Sequence, residues 1–386
     1  MDEQRQYVMS KKSKDDLVKR THSRYLQASK VEKTRILDEF VAATGYHRKH
    51  AIRKLRKGIA ECHRERRGRK RTYTGDAVRA MAEIWRICGC ICGKRLRPFI
   101  PEMVTVLERH NELVLDPETK ALLLQMSAST IDRRLAPFRQ QRGRGLSTTK
   151  PGTLLKDAIP VRTFADWDDA KPGFVEMDLV AHCGDTVAGQ YLQTLTATDV
   201  RSGWTECLIL YQRSQKAVSA AMVELQARLP FPLLGVDSDN DSVFINDTLQ
   251  RFCEKEQVTF TRSRPYKKND QCYVEQKNWS VVRKTVGYRR YESLDALELF
   301  QAIYADLRLY VNFFQPVLKL VHKERQGSKV RKRYDEAQTP HQRIMASPDV
   351  SVKDKLRLQH IYLQLNPAEL RRQIDANLRR LWRLTR

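Results

Sequence analysis

Acidic side chains interrupt apolar, β-branched runs at two places: Glu176 and Asp178 in GFVEMDLVAHCG, and Asp237, Asp239 and Asp241 in GVDSDNDSVF. A third acid, Glu275, stands in YVEQKN, after a basic and aromatic loop with Pro265, Tyr266, Lys267 and Lys268. Carboxylates from two neighbouring strand ends, joined by one from a helix packed across them, converge without any special loop. Hard oxygen donors arranged in that way hold Mg²⁺ or Mn²⁺ and leave positions for phosphate oxygens and water, as in-line phosphoryl transfer requires. A single aspartate at a strand end is ordinarily a turn residue. The set in order, beside a basic loop, is what points to metal and phosphate.

The elements that must position these acids are legible in outline. GFVEMDLVAHCG, GQYLQTLTATDVRSGWTECLILY and PLLGVDSD read as strands, SQKAVSAAMVELQARL as a helix with Val218, Met222 and Leu225 inward, and VTFTRS as a further strand. Strands mixed with helices predict an α/β domain with a mixed sheet. Asp178 is expected to end or interrupt the first strand, and Asp239 to end the fourth. Asp237, Asp239 and Asp241 share one strand face if the strand runs through them, so spacing alone does not choose among them.

Charge places the partner. The chain of 386 residues carries a net charge of +25. Residues 1–150 contribute +18, residues 151–325 contribute −1 and residues 326–386 contribute +8. Basic arms around a neutral, acid-bearing middle fit a nucleic-acid grip with metal chemistry between. Eight cysteines in this length show no secreted-framework density, and the Cys88, Cys90, Cys92 spacing lacks the gaps of a structural zinc site.

The first arm is helical. Leu17, Tyr25, Ile36, Leu37, Phe40 and Val41 recur at helical spacing, Thr44 and Gly45 form a turn, and a basic helix follows. Its packing side is Ala51, Ile52 and Leu55, and its charged side carries His47, Arg48, His50, Arg53, Lys54 and Arg56. That is the outline of a helix-turn-helix. The run with Arg66, Arg67, Arg69 and Lys70 reads as a phosphate-tracking linker. A second helical module starts near Asp76, with Met81 and Trp85 as core, and closes on a helix capped by Ser127 or Ser129 that bears Arg133 and Arg134. Arg142 and Arg144 lead into a Gly, Ser, Thr and Pro-rich linker. Leu297, Phe300, Ile303, Tyr304, Leu307 and Tyr310 form the stripe of a helix that closes the central domain, and residues 323–343 read as basic and turn rich. Two helices end the chain, the last striped by Leu370, Ile374, Leu378 and Leu381, a face that fits its own protein or a second protomer.

The order Asp178, Asp239, Glu275, with 35 residues between the last two, resembles the DDE signature of bacterial insertion-sequence transposases with a retroviral-integrase-type core. The words around it match: EMDLV, TATDVRSGW around Asp199, SDN followed by Phe244, and RPYKKND leading to VEQKN. The resemblance implies a multidomain chain. Helix-turn-helix modules at 1–72 (with the basic linker) and 73–145 and a linker at 146–165 are expected. An α/β RNase H-like integrase core with a mixed sheet follows at 166–325, and a basic, mostly helical C-terminal region at 326–386. It implies Asp178, Asp239 and Glu275 as ligands of two Mg²⁺ or Mn²⁺ ions, with Asn240 beside the second acid.

The implied activity is binding of an element's terminal inverted repeats, metal-dependent end cleavage and strand transfer into target DNA by a homo-oligomer. Lys267, Lys268, Lys277, Arg283 and Lys284 are expected DNA contacts by charge and position. Tyr266 and Tyr273 suit base stacking or loop packing. Where the family pattern has Gly and then Glu, this chain has Asp241 and Val243, which favours the alternative of a DNA-binding regulator retaining an integrase-like core. A nuclease of RNase H type would need no helix-turn-helix modules. No run approaches the roughly 18 apolar residues of a membrane span, and MDEQRQYVMSKKSKDD lacks a signal peptide's apolar segment. The expectation is a bacterial cytoplasmic protein, nucleoid-associated when bound to DNA, with no membrane partner.

Overall fold

The computed structural model describes residues 9–58, 72–73, 75–139, 171–238, 243–244, 247–262 and 271–385. They belong to two compact units, Met1–Thr72 and Tyr73–Arg386.

The first unit packs α1 (Lys11–Gln27), α2 (Lys30–Thr44) and α3 (Arg48–Lys57) around Val18, Tyr25, Ile36, Leu37, Phe40, Ala51 and Leu55. Ser10 caps α1, and Ser29 with Glu32 forms a reciprocal capping box on α2, so the sequence itself sets both starts. α2 stops where Gly45 turns left-handed at φ +66°, a conformation that costs a residue with a Cβ. α3 then leaves at an angle set by that turn, completing the expected helix, Gly turn and basic helix.

In the second unit α4 (Gly75–Ile87), α5 (Gly93–Leu96), α6 (Ile100–Arg109), α7 (Pro117–Gln125) and α8 (Ala128–Leu135) precede the sheet. The stretch 73–145, read from sequence as a module of its own, is described as far as 139, and that part shares one continuous core with the sheet and the C-terminal helices. Met81 and Trp85 lie in that core, as their spacing predicts. Gly93 permits the closest approach within the helical part: a Cβ there would lie 2.2 Å from the Ala128 carbonyl oxygen. Its N–H donates to Asp132 at 3.0 Å.

The sheet contains β1 (Phe174–Ala181), β2 (Gln193–Asp199), β3 (Thr205–Leu210), β4 (Gly235–Ser238) and β5 (Thr259–Arg262), in the order β3-β2-β1-β4-β5. The first three strands form an antiparallel meander; β4 and β5 join parallel to β1 after the crossover helices α9 (Gln215–Arg228) and α10 (Asp247–Lys255). Asp199 closes the β2–β3 turn, its buried carboxylate accepting from the N–H groups of Gly173 and Ser202 and from the Ser202 hydroxyl. α11 (Cys272–Lys277) runs into a π-helical stretch, Asn278–Arg283, and α12 (Lys284–Val286). α13 (Leu294–Phe314) follows, tied to the N-terminal helices through Tyr310 Oη donating to Ile87 O at 2.6 Å and Gln315 Nε2 to Cys88 O at 3.0 Å.

Beyond α13 the basic, turn-rich stretch is a β-hairpin, β6 (Leu320–Gln326) and β7 (Lys329–Tyr334). Polar residues on both faces hide the two-residue period that would have revealed it. α14 (Pro340–Ala346), α15 (Val352–Gln364) and α16 (Pro367–Arg383) complete the unit. The Leu370, Ile374, Leu378 and Leu381 stripe of α16 is buried and packs on α13, so it serves its own protein. Burial of side chains of that size contributes roughly 1.5–3 kcal/mol each. Among the described residues, no helix is long and apolar enough to cross a membrane.

Candidate active site

β1 lies at the centre of the sheet, with β2 on one side and β4 on the other. Side chains two apart share a face, so Glu176 and Asp178 point the same way. Opposite Glu176 on β4 is Asp237, and opposite Asp178 on β2 is Thr196. This face is polar although covered: Thr194, Thr196 and Thr198 of β2 are all buried. What covers it begins with α11.

Glu176 anchors that helix. Its Oε2 accepts from the backbone N–H groups of Tyr273 and Val274, each at 2.9 Å, satisfying two amides that no helical carbonyl reaches. The side chain is fully buried, and its Oε1 has no partner among the described residues. Burial pushes the Glu176 carboxyl up to about 8; the negative charges of Asp237 and Glu275 push the same way, and the two amides oppose them. Glu176 therefore keeps its proton at neutral pH, a neutral strut under the helix.

Asp178 is half-buried, within β1 and not at its end. Its Oδ2 accepts from Asn278 Nδ2 at 2.6 Å and its Oδ1 from the Leu179 N–H at 2.7 Å. Asn278 follows Glu275 by three residues, so the two share a helix face. The bond that holds Asp178 thus sets the face on which the exposed Glu275 stands. Asn278 is the residue beside the candidate acids that reading the sequence missed; its signal was the i, i+3 spacing from Glu275. The helix widens into its π-helical stretch at that residue, an irregularity frequent at functional sites.

Asp239, Asn240 and Asp241 lie outside the described residues, as do Tyr266, Lys267 and Lys268. β4 is described as far as Ser238, the partner of Met177. Asp237 is buried one layer below: Thr261 Oγ1 donates to its Oδ1 at 2.7 Å, and Gln271 Nε2 stands 3.5 Å from its Oδ2. It pairs in register with Glu176, not with Asp178. Val243 and Phe244 are buried in the core, which gives the departure at Val243 a packing reason.

The expected DNA contacts divide. Lys277 faces inward, 6% exposed, with its ammonium pushed down to about 8 by burial and by Arg95. Its placement corrects the expectation of a surface contact: the inward face of α11 needs a long aliphatic stem, and lysine supplies one. Arg283 is also built in, donating to Ala181 O at 2.8 Å and lying 4.7 Å from the Tyr288 ring. Lys284 is exposed beside the exposed Trp279, 5.7 Å from its ring. Tyr273 packs under the ammonium of Lys319 at 5.8 Å.

On α3, His47 caps the helix, Arg48 pairs with Asp38, Lys54 lies 3.4 Å from Asp15, and the His50 ring meets Tyr46 edge-on. Arg53 and Arg56 are exposed. Ser127 caps α8, on which Arg133 is exposed and Arg134 partly covered. Arg66, Arg67, Arg69, Lys70, Arg142 and Arg144 lie outside the described residues. Cys88 is buried, its thiol pushed up to about 12, while Cys90 and Cys92 are exposed.

Carboxylate oxygens on one sheet face and one helix face suit a hard divalent cation. The mutual repulsion that helps to raise Glu176 marks the same concentration of negative charge. Among the described residues, no group of three His, Cys, Asp or Glu side chains is close enough to hold a metal; Asp239 lies outside them.

This strand order with acids on its central strands defines an integrase core of the RNase H-like type, and residues 168–268 match the Integrase core domain family. The chain belongs to one family with the uncharacterized protein y4rM of Sinorhizobium fredii (strain NBRC 101917 / NGR234). The two are 43% identical over 334 residues, covering 84% of this chain and 93% of the relative. Among solved structures it is similar to the HTLV-2 integrase catalytic core domain in complex with magnesium, at 15% identity over 38% of this chain and 90% of that one, with a TM-score of 0.30. It is also similar to the BIV integrase catalytic core domain, at 18% identity over 50% and 99%, with a TM-score of 0.28.

Proposed function

We propose that this protein is a DDE-type DNA transposase that binds the terminal inverted repeats of a mobile element, cleaves the element ends and transfers them into target DNA. The observation that carries this is the 2.6 Å hydrogen bond from Asn278 to Asp178, which brings the helix of Glu275 over the central strand of an integrase core. Asp178 and Glu275, with Asp239, are the residues that would hold Mg²⁺ or Mn²⁺. Such ions supply Lewis-acid activation of a water or a DNA 3′-OH and neutralise charge on the phosphate under attack. Asn278 orients Asp178, and neutral Glu176 fixes the start of α11. Arg53, Arg56 and Arg133 are the exposed cations through which α3 and α8 would read or grip element DNA. Joining two element ends to one target calls for a homo-oligomer, acting in the cytoplasm on nucleoid DNA.

The test is strand transfer: purified protein, a labelled duplex of the element's own end, supercoiled target and Mg²⁺ or Mn²⁺, beside Asp178→Asn, Asp239→Asn and Glu275→Gln. Metal-dependent joined product, lost in all three variants, is expected. Specific end binding without product in either metal would refute the enzyme and leave a DNA-binding regulator.

A further inference from the structure

The hairpin of β6 and β7 has no apolar face. Every residue of β6 is exposed, and in β7 only Val330 is partly covered. Pairing in register puts His322 with Arg333, Glu324 with Arg331 and Gln326 with Lys329 on one face. The other face holds Lys323 with Lys332 and Arg325 with Val330. Six lysines and arginines thus stand against Glu324 alone. Among the described residues, no salt bridge joins Lys323, Arg331, Lys332 or Arg333 to an acid. Lys323 directly opposes Lys332, a like-charge pair that weakens a ribbon. An isolated two-stranded hairpin is marginal in water, and this one adds self-repulsion. A polyanion removes both handicaps.

The root, by contrast, is fixed. Lys319 donates through Nζ to Val200 O at 2.6 Å and to Arg201 O, and its N–H donates to Asp335 at 2.7 Å. Asp335 pairs with Arg343 at 2.8 Å, and Arg343 also donates to Val317 O. The same Lys319 lies against Tyr273, in the first turn of α11. A cleft of about 390 Å³ at this root is lined by Arg201, Tyr273, Lys319 and Arg343 among others. The ribbon therefore starts beside the helix that carries Glu275.

We propose that the β6–β7 ribbon is a DNA-binding arm that lies in a groove of the duplex entering the active site. This rests on the DNA reading above for the identity of the polyanion. A two-stranded ribbon fits the major groove, which is about 12 Å wide. Strands of this length reach roughly 20 Å at about 3.3 Å per residue. Cations on both faces fit a groove with a phosphate wall on either side.

The experiment is a salt titration of binding by the full chain carrying Asp178→Asn, with a fluorescein-labelled duplex of arbitrary sequence in EDTA. It is repeated after adding Lys323→Ala, Arg331→Ala, Lys332→Ala and Arg333→Ala. Each phosphate that the ribbon neutralises steepens the dependence of log K on log salt by about 0.9. The quadruple variant is expected to lose about two or more units of slope and at least about tenfold in affinity at moderate salt. An Arg331→Lys, Arg333→Lys variant, which preserves charge, is expected to keep the parent slope, and a urea midpoint of the quadruple variant equal to the parent's excludes misfolding as the cause. An unchanged slope in the quadruple variant would overturn the arm while leaving the transposase reading intact. Equal losses on a single strand of the same length would overturn groove docking. Failure of the parent to bind any duplex would remove the DNA reading and the arm together.

Discussion

Replacing Glu176 with glutamine is expected to abolish a pH dependence that this one side chain imposes on stability. In the folded chain its carboxyl is raised from 4.5 to about 8; in the unfolded chain it returns to the lower value. Between those values the folded state holds a proton that the unfolded state has shed, so stability falls as pH rises. The contribution is fully present below the unfolded pKa and is lost through about 8. At about 1.4 kcal/mol per unit, a shift of this size amounts to several kcal/mol, an order-of-magnitude figure for a fully buried group. Glutamine keeps the acceptor for the Tyr273 and Val274 amides and a donor where the proton sat, and it cannot titrate. Urea unfolding of the second unit in EDTA, at steps from about pH 5 to about pH 8, reads the difference between the two proteins and cancels every group that does not act on Glu176. The variant should gain on the wild type by about 1 kcal/mol per pH unit across the window. Glu176→Leu, which orphans both amides, should be less stable than either at every pH. A constant difference between wild type and Glu176→Gln would mean that Glu176 is ionised throughout, and the account of a neutral strut would fall.

Asn278→Leu removes a charge-assisted hydrogen bond to Asp178, of the kind that contributes about 1.5–3 kcal/mol. Single-turnover end cleavage should drop at least about tenfold, with duplex affinity in EDTA unchanged. Gly93→Ala drives a Cβ to 2.2 Å from the Ala128 carbonyl oxygen, a backbone atom. Calorimetry should report a second unit destabilised by about 1–3 kcal/mol or more. Arg308→Leu strips the bidentate partner, at 2.8 and 2.9 Å, from fully buried Glu206. A loss of about 3–5 kcal/mol is expected in urea unfolding, and much of it should return when Glu206→Met is added, because the cost lies in the abandoned charge.

The sheet was legible because β1 to β5 bury apolar or β-branched side chains in short runs, a pattern that survives without knowledge of the partners. Thr44 and Gly45 announced the first helical turn through local chemistry alone. Lys277 was misread because charge tells nothing about which side of a short helix faces inward; that depends on the sheet beneath. The role of Glu176 was hidden for a related reason: its partners are backbone amides 97 and 98 residues away. The hairpin left no trace, since a strand with no apolar face has no period to read. Asp237, which spacing alone did not separate from Asp239 and Asp241, pairs in register with Glu176 in the interior, a long-range fact that no local pattern carries.

The stripe of α16 on α13 bears on the order in which this protein becomes functional. Glu112, between α6 and α7, is held by Arg372 at 2.6 Å, a pairing across 260 residues of chain. Glu102 on α6 likewise receives Tyr362 and Gln342. Until residues 367–383 leave the ribosome, α13 presents an uncovered apolar face and the early helices wait for their partners. A growing chain would thus complete its first unit, which folds on local contacts, well before its second unit closes. Under the function proposed above, nascent or prematurely ended chains would occupy DNA without the means to cut it. The fold sets a delay between the closing of the first unit and that of the second, with the timer written into the position of a single helix.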